Sequence, residues 1–293
     1  MRKLFAALTC ALAANAGAAI TVHDDDGKAL TLQQPARRVI ALAPHVAELL
    51  YAAGGAERII AAVDYADYPE QAKLLQRVGS NRQLDLERIA ALKPDLIVVW
   101  LHGSSERQIE QIRALGIPMF HSEPKKLDDI ASNVSRLGKL MGTERVADSA
   151  AGRIRTDLAL LTTKYAGRAP VRLFYQVWDK PLYTLNGSHI VSDAIRMCGG
   201  ENIFGRLKAT APVVGVEAVL QEDPEAIFST ADRSDDEGGV GLWRQYPNMT
   251  AVRRGNLFRV DGNLLNRAGP RMIAGAASLC QKLELARERR KLP

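Results

Sequence analysis

One short pattern occurs twice in this chain, and it restricts the fold more than any other feature. Residues 84–100 read LDLERIAALKPDLIVVW, and residues 214–229 read VGVEAVLQEDPEAIFS. Each copy has a glutamate at the head of a helical stretch, Glu87 or Glu217, and a proline seven residues later, Pro94 or Pro224. Proline lacks an N–H and pushes the residue before it out of helical geometry, so each helix must end there. A continuous apolar run follows each proline, as expected of a strand covered on both faces. Two copies of one helix–turn–strand unit point to two lobes of similar build.

The chain's 293 residues suffice for two such lobes. Hydrophobic residues make up 47% and charged residues 25%, a balance that excludes a disordered or fibrous chain. The net charge of +6 comes from scattered basic residues with no basic bank, which argues against a nucleic-acid partner. At the N-terminus Arg2 and Lys3 precede LFAALTCALAANAGAA, an apolar run that ends in small residues. This is the layout of a secretory signal over 1–18, and the run is too short to span a bilayer. The mature protein is expected to be exported and soluble. Removal of the signal takes Cys10 with it and leaves Cys198 and Cys280. An even pair in an oxidising compartment suits a disulfide, with two buried free thiols as the alternative.

Residues 20–35 read as a hairpin turning at Asp25, Asp26 and Gly27. Strands are expected at 38–42, 58–63, 96–99 and 117–120, and helices at 47–53, 70–76 and 106–115. Asp85 is the expected N-cap of the first repeated helix. This alternation argues for a parallel sheet with crossovers. Residues 127–141 form one amphipathic helix and 144–165 a longer one. In the second, Val146, Ala150, Ile154, Leu158, Leu161 and Tyr165 recur at three or four residues. Its length, roughly 33 Å, and its place between the two copies suit a rigid link between lobes. Alternation resumes with a strand at 171–178, a helix at 191–197, a polar glycine-rich loop at 233–241, a strand at 256–260 and a helix over 270–287. The fold class is therefore α/β. The expected division is an N-terminal lobe over 19–142, a backbone helix over 143–167 and a C-terminal lobe over 168–293.

Familiar catalytic patterns are missing: there is no HExxH and no GxSxG. EGGVG at 237–241 lacks both the preceding strand and the following Lys-Ser/Thr of a phosphate loop. His23, His45, His102, His121 and His189 are dispersed, so no metal site is expected. The aromatic residues say more. Tyr65, Trp100, Trp178 and Tyr183 fall at or just past strand ends. Carboxyl ends of parallel strands open onto the ligand crevice, and flat rings suit a large, flat, partly apolar ligand. Glu87 and Glu217 are favoured at helix starts by the dipole alone. Their spacing leaves open a paired-carboxylate hydrolase.

Several segments in order, RVIALAPHVAELLYAAG, DYADYPEQA, LDLERIAALKPDLIVVW, ERQIEQIRALGIP, CGGENIF, VGVEAVLQEDPEAI and NRAGPR, resemble the periplasmic binding proteins of cobalamin and iron-chelate ABC importers. LERIAALKPDLIVVW and CGGENIF are most similar to the cobalamin branch. The resemblance implies a non-enzymatic receptor of the class III type, with two Rossmann-like α/β lobes joined by one long rigid helix. It implies a monomer without cofactor in the periplasm, passing a corrinoid to an inner-membrane ABC permease dimer with its ATPase subunits. It assigns Glu87 and Glu217 to permease docking and pairs Cys198 with Cys280. It places Tyr65, Trp100 and Tyr183 in the ligand cleft. Two family tryptophans are replaced by Asn81 and Ala211, and Asn263 stands at an acidic position. Trp178, Trp243 and Arg267 are candidates to compensate. A haem or ferric-siderophore receptor of the same superfamily is the alternative.

Overall fold

The computed structural model describes residues 19–80, 82–103, 105–230 and 239–291. The expected signal and Asn81 lie outside them, as does most of the glycine-rich loop.

The chain opens with an antiparallel hairpin of β1 (Ile20–His23) and β2 (Ala29–Leu32). The Asp24 carboxylate closes its turn by accepting the N–H groups of Asp26 and Lys28 at 3.0 and 2.8 Å. Then β3 (Val39–Ala41), α1 (Pro44–Ala52), β4 (Ile59–Ala62), β5 (Gln76–Arg77), α2 (Leu86–Ala91), β6 (Leu96–Val99), α3 (Glu106–Ala114) and β7 (Met119–His121) build the first lobe. The five strands are parallel in the order β5-β4-β3-β6-β7. Chain progression reverses between β3 and β6, so their carboxyl ends splay into a crevice there. Pro44, at first sight a strand breaker, is the first residue of α1, where its missing N–H costs nothing. The expected helix at 70–76 is a short 3-10 turn, Glu70–Leu74, running straight into β5.

Two long helices follow, α4 (Leu127–Met141) and α5 (Glu144–Tyr165). They cross closely at Gly138 of α4, where a methyl group would sit 2.1 Å from the Ala147 side chain of α5. Helix α5 begins beside α1, where the Thr143 hydroxyl donates to the Ala53 carbonyl at 2.6 Å. It buries Ala147, Ala150, Ala151, Ile154, Leu158 and Tyr165 in one core continuous with both lobes.

The second lobe contains β8 (Val171–Gln176), a small hairpin of β9 (Trp178–Asp179) and β10 (Leu182–Tyr183), α6 (Ile190–Met197), β11 (Gly200–Asn202), α7 (Val216–Glu222), β12 (Ala226–Ser229), α8 (Thr250–Arg253), β13 (Leu257–Arg259), α9 (Gly262–Leu265) and α10 (Met272–Arg289). Its sheet is parallel in the order β11-β8-β12-β13, with the reversal between β8 and β12. The architecture is two Rossmann-like α/β lobes with one long helix between them in sequence. Cys198, ending α6, is bonded to Cys280 of α10 across a loop of 82 residues. No helix among the described residues is long and apolar enough to cross a membrane.

The lobes also meet through buried charge. Glu48 of α1 has a side chain only 1% exposed. Arg271, at the start of α10, donates to both its oxygens at 2.9 and 2.6 Å. The Arg271 guanidinium also lies 4.0 Å over the Tyr68 ring. Arg267 pairs with Asp67 and lies 3.6 Å from Glu48. The Arg267 hydrogen bond holds the Asp67 carboxyl below the usual carboxylate range, against a smaller opposing effect of burial.

Candidate functional site

Residues just past the carboxyl ends of both sheets line one cavity of about 410 Å³. The first lobe supplies His45 after β3, Trp100 after β6, and Glu123, Pro124 and Lys125 after β7. The second supplies Val177 after β8, Leu185, Ser188 and His189 ahead of α6 and Ile190 at its start, Thr210 and Ala211 ahead of α7, and Asn266 and Ala268 ahead of α10. A second cavity of about 240 Å³ is lined by Tyr65, Asp64, Val63, Gly103 and Arg267, among others. Trp100 and Asn266 belong to both linings. The Trp100 ring lies flat against the backbone at Gly103, where a methyl group would come within 2.0 Å of it. Its other neighbour is His45, edge to face, with ring centroids 5.5 Å apart.

Two histidines in the first lining are uncharged. Burial lowers the His45 pKa to about 4, over a smaller upward pull from the Ser122 backbone. Burial likewise lowers that of His189 to about 4. His121, behind the cavity, behaves oppositely. Its burial disfavours charge, but Glu123 at 3.1 Å and Asp26 at 2.9 Å outweigh burial and raise its pKa. His121 thus lies between the Asp26 carboxylate and that of Glu123, the latter on the cavity wall. Asn266 is oriented by accepting from the Tyr175 hydroxyl at 2.9 Å and donating to the Thr230 hydroxyl at 3.1 Å.

The site residues expected from sequence divide into two groups. Tyr65, Trp100 and Arg267 line the cavities. Tyr65 is 75% exposed and has a left-handed backbone, φ 65°. Trp178 and Tyr183 face each other across the small hairpin and lie outside both linings, although their neighbours Val177 and Leu185 are in the first. Asn263 is exposed on α9, with Asn266 at the cavity instead. Trp243 does not compensate for a missing ring. It is fully buried in the second lobe's core and donates to Gln176 at 2.6 Å. Ala211 does lie on the cavity wall, so the absence of a ring there leaves open space. Glu87 and Glu217 are exposed in the first turns of α2 and α7, away from both linings. They do not meet in the cleft, which removes the paired-carboxylate alternative. Sequence reasoning missed His45, His189, Glu123, Lys125 and Asn266. A signal existed for the histidines, since each stands at the start of a helix that faces the cleft.

The model of a family described as periplasmic binding protein matches residues 39–264. The chain belongs to the periplasmic binding protein family. The vitamin B12-binding protein of Vibrio cholerae serotype O1 is 36% identical over 255 residues, 87% of this chain and 91% of that protein. The vitamin B12-binding protein of Yersinia pestis is 37% identical over 250 residues, 85% of this chain and 87% of that protein. Among solved structures, the periplasmic vitamin B12 binding protein of Vibrio cholerae has a TM-score of 0.81 at 36% identity, covering 86% of this chain and 98% of that one. The periplasmic heme-binding protein BhuT, solved with two hemes, has a TM-score of 0.76 at 20% identity, covering 87% of this chain and all of that one, and shares the fold alone. The two-lobed architecture expected from the sequence agrees with the fold of this family, and the Cys198–Cys280 disulfide is present in the structure.

Proposed function

We propose that the protein is a periplasmic receptor that captures cobalamin or a related corrinoid and delivers it to an inner-membrane ABC permease. The observation that carries this reading is the cavity between the two sheet edges, walled by Trp100 and aliphatic side chains with a few polar groups. It belongs to a chain 36% identical to a vitamin B12-binding protein. A preformed, mostly apolar pocket with few convergent polar groups suits a large, flat ligand carrying polar substituents. The reading includes an N-terminal signal over 1–18 removed on export, an N-terminal lobe over 19–142, a backbone helix over 143–167 and a C-terminal lobe over 168–293. It further includes a monomer in solution and docking to the permease and its ATPase subunits through the exposed Glu87 and Glu217.

Of the chain's three tryptophans, Trp100 lines the cavity and Trp243 is buried away from it. Titrating the purified mature protein with cobalamin, cobinamide, haem and a ferric siderophore, while following tryptophan emission, tests the reading. Quenching by the corrinoids is expected, and its loss in Trp100→Phe would place the ligand beside that ring. Silence toward both corrinoids would overturn the reading. Haem or a ferric chelate is the second reading. It is favoured by the uncharged imidazole of His45 against the cavity, and a response to haem alone would select it.

A further inference from the structure

His189 holds two positions at once. It is the N-cap of α6, where its Nδ1 accepts the backbone N–H of Val191 at 3.2 Å. It is also part of the cavity wall. A neutral imidazole carries one N–H and one lone pair, so using Nδ1 as an acceptor fixes the proton on Nε2. The burial that lowers its pKa keeps the ring neutral, and the helix cap therefore sets the tautomer. Nε2–H, on the far side of the ring from the cap, has no acceptor among the described residues. The nearby Glu123 carboxylate is already engaged by His121. The lining of the same cavity includes Ser188 and Ala211, the latter with no ring to fill the space. A fixed donor beside open room calls for a ligand oxygen.

We propose that His189 determines ligand specificity in this cleft, its Nε2–H donating to a carbonyl oxygen on the ligand's rim. This inference rests on the corrinoid reading, because a corrinoid's edge carries primary-amide side chains whose carbonyls are such acceptors. The wall would then exchange one stacking ring, absent at Ala211, for one directed hydrogen bond.

The test separates the cap from the donor. His189→Ser retains an oxygen that caps α6 but lacks the ring N–H. His189→Asn retains the cap and restores an N–H donor on a shorter arm. His189→Ala removes both functions. The readouts are thermal midpoint and affinity for cobalamin and cobinamide, which share the rim amides but differ in the nucleotide. His189→Ser should keep the wild-type midpoint and bind both ligands about tenfold more weakly, as the loss of one hydrogen bond requires. His189→Asn should recover part of that loss, and His189→Ala should lose both affinity and melting temperature. Unchanged affinity in His189→Ser, with a wild type that binds, overturns this inference alone. A loss confined to cobalamin overturns the rim-amide assignment. A wild type that binds no corrinoid overturns the functional reading, and this inference with it.

Discussion

Glu48→Gln is the substitution that most directly tests how the lobes are held together. The change keeps the side chain's shape and removes its charge. Two arginines then lose a counter-ion whose own side chain is 1% exposed. Arg271 retains its place over Tyr68, and Arg267 retains Asp67. Removing one partner of a buried pair costs about 3–5 kcal/mol. The guanidiniums are only partly dry, with side chains 22% and 16% exposed, so the lower end applies: about 3 kcal/mol. For a protein of this size, that lowers the melting temperature by about 6–12 °C. Urea unfolding of Glu48→Gln, Arg271→Met and the double variant gives the coupling between the two residues. It should exceed about 1 kcal/mol, as contacting charges do. A loss below about 1 kcal/mol in Glu48→Gln, or a coupling near zero, would refute the idea that this pair ties α1 to α10.

Three further outcomes follow from the same geometry. His45 and His189 have folded-state pKa values lowered to about 4, so the unfolded chain binds more protons between about pH 4 and 6.5. Their contribution to stability is complete above that window and falls as pH drops through it, by on the order of 3 kcal/mol per ring. Melting curves from pH 7 to 4 should show this loss, and His189→Ser should reduce the slope. Opening the Cys198–Cys280 bond, which closes an 82-residue loop, should cost about 4.5 kcal/mol, measured as a denaturation midpoint with and without reductant. Glu87→Ala and Glu217→Ala should leave ligand titrations unchanged and reduce uptake in cells; a folded variant that lost ligand would remove the docking assignment.

What the sequence discloses here is local. The periodicity of 144–165 yields α5 with the same bounds, because an amphipathic face of that length has one solution. The hairpin at the N-terminus is legible for a similar reason, its Asp-Asp-Gly turn. Strand β11 leaves no trace in the sequence, since Gly-Glu-Asn carries no apolar run and is a strand only because β8 lies beside it. The cleft's direction was legible from aromatic residues past strand ends, but membership was not. Trp100 and Trp178 look alike in sequence. One follows a central strand at the switch point, and the other enters an outward hairpin with 52% of its surface exposed. Contacts such as Glu48 with Arg271, separated by 223 residues, leave no periodic trace and exist only once both lobes are folded.

Trp100 stands where the two cavities adjoin. One indole forms part of the wall of two chambers, and the backbone behind it at Gly103 leaves no room for even a methyl group. The ring therefore acts as a partition. With the Gly103 backbone packed against it, the indole is held in place as a single wall that serves both chambers.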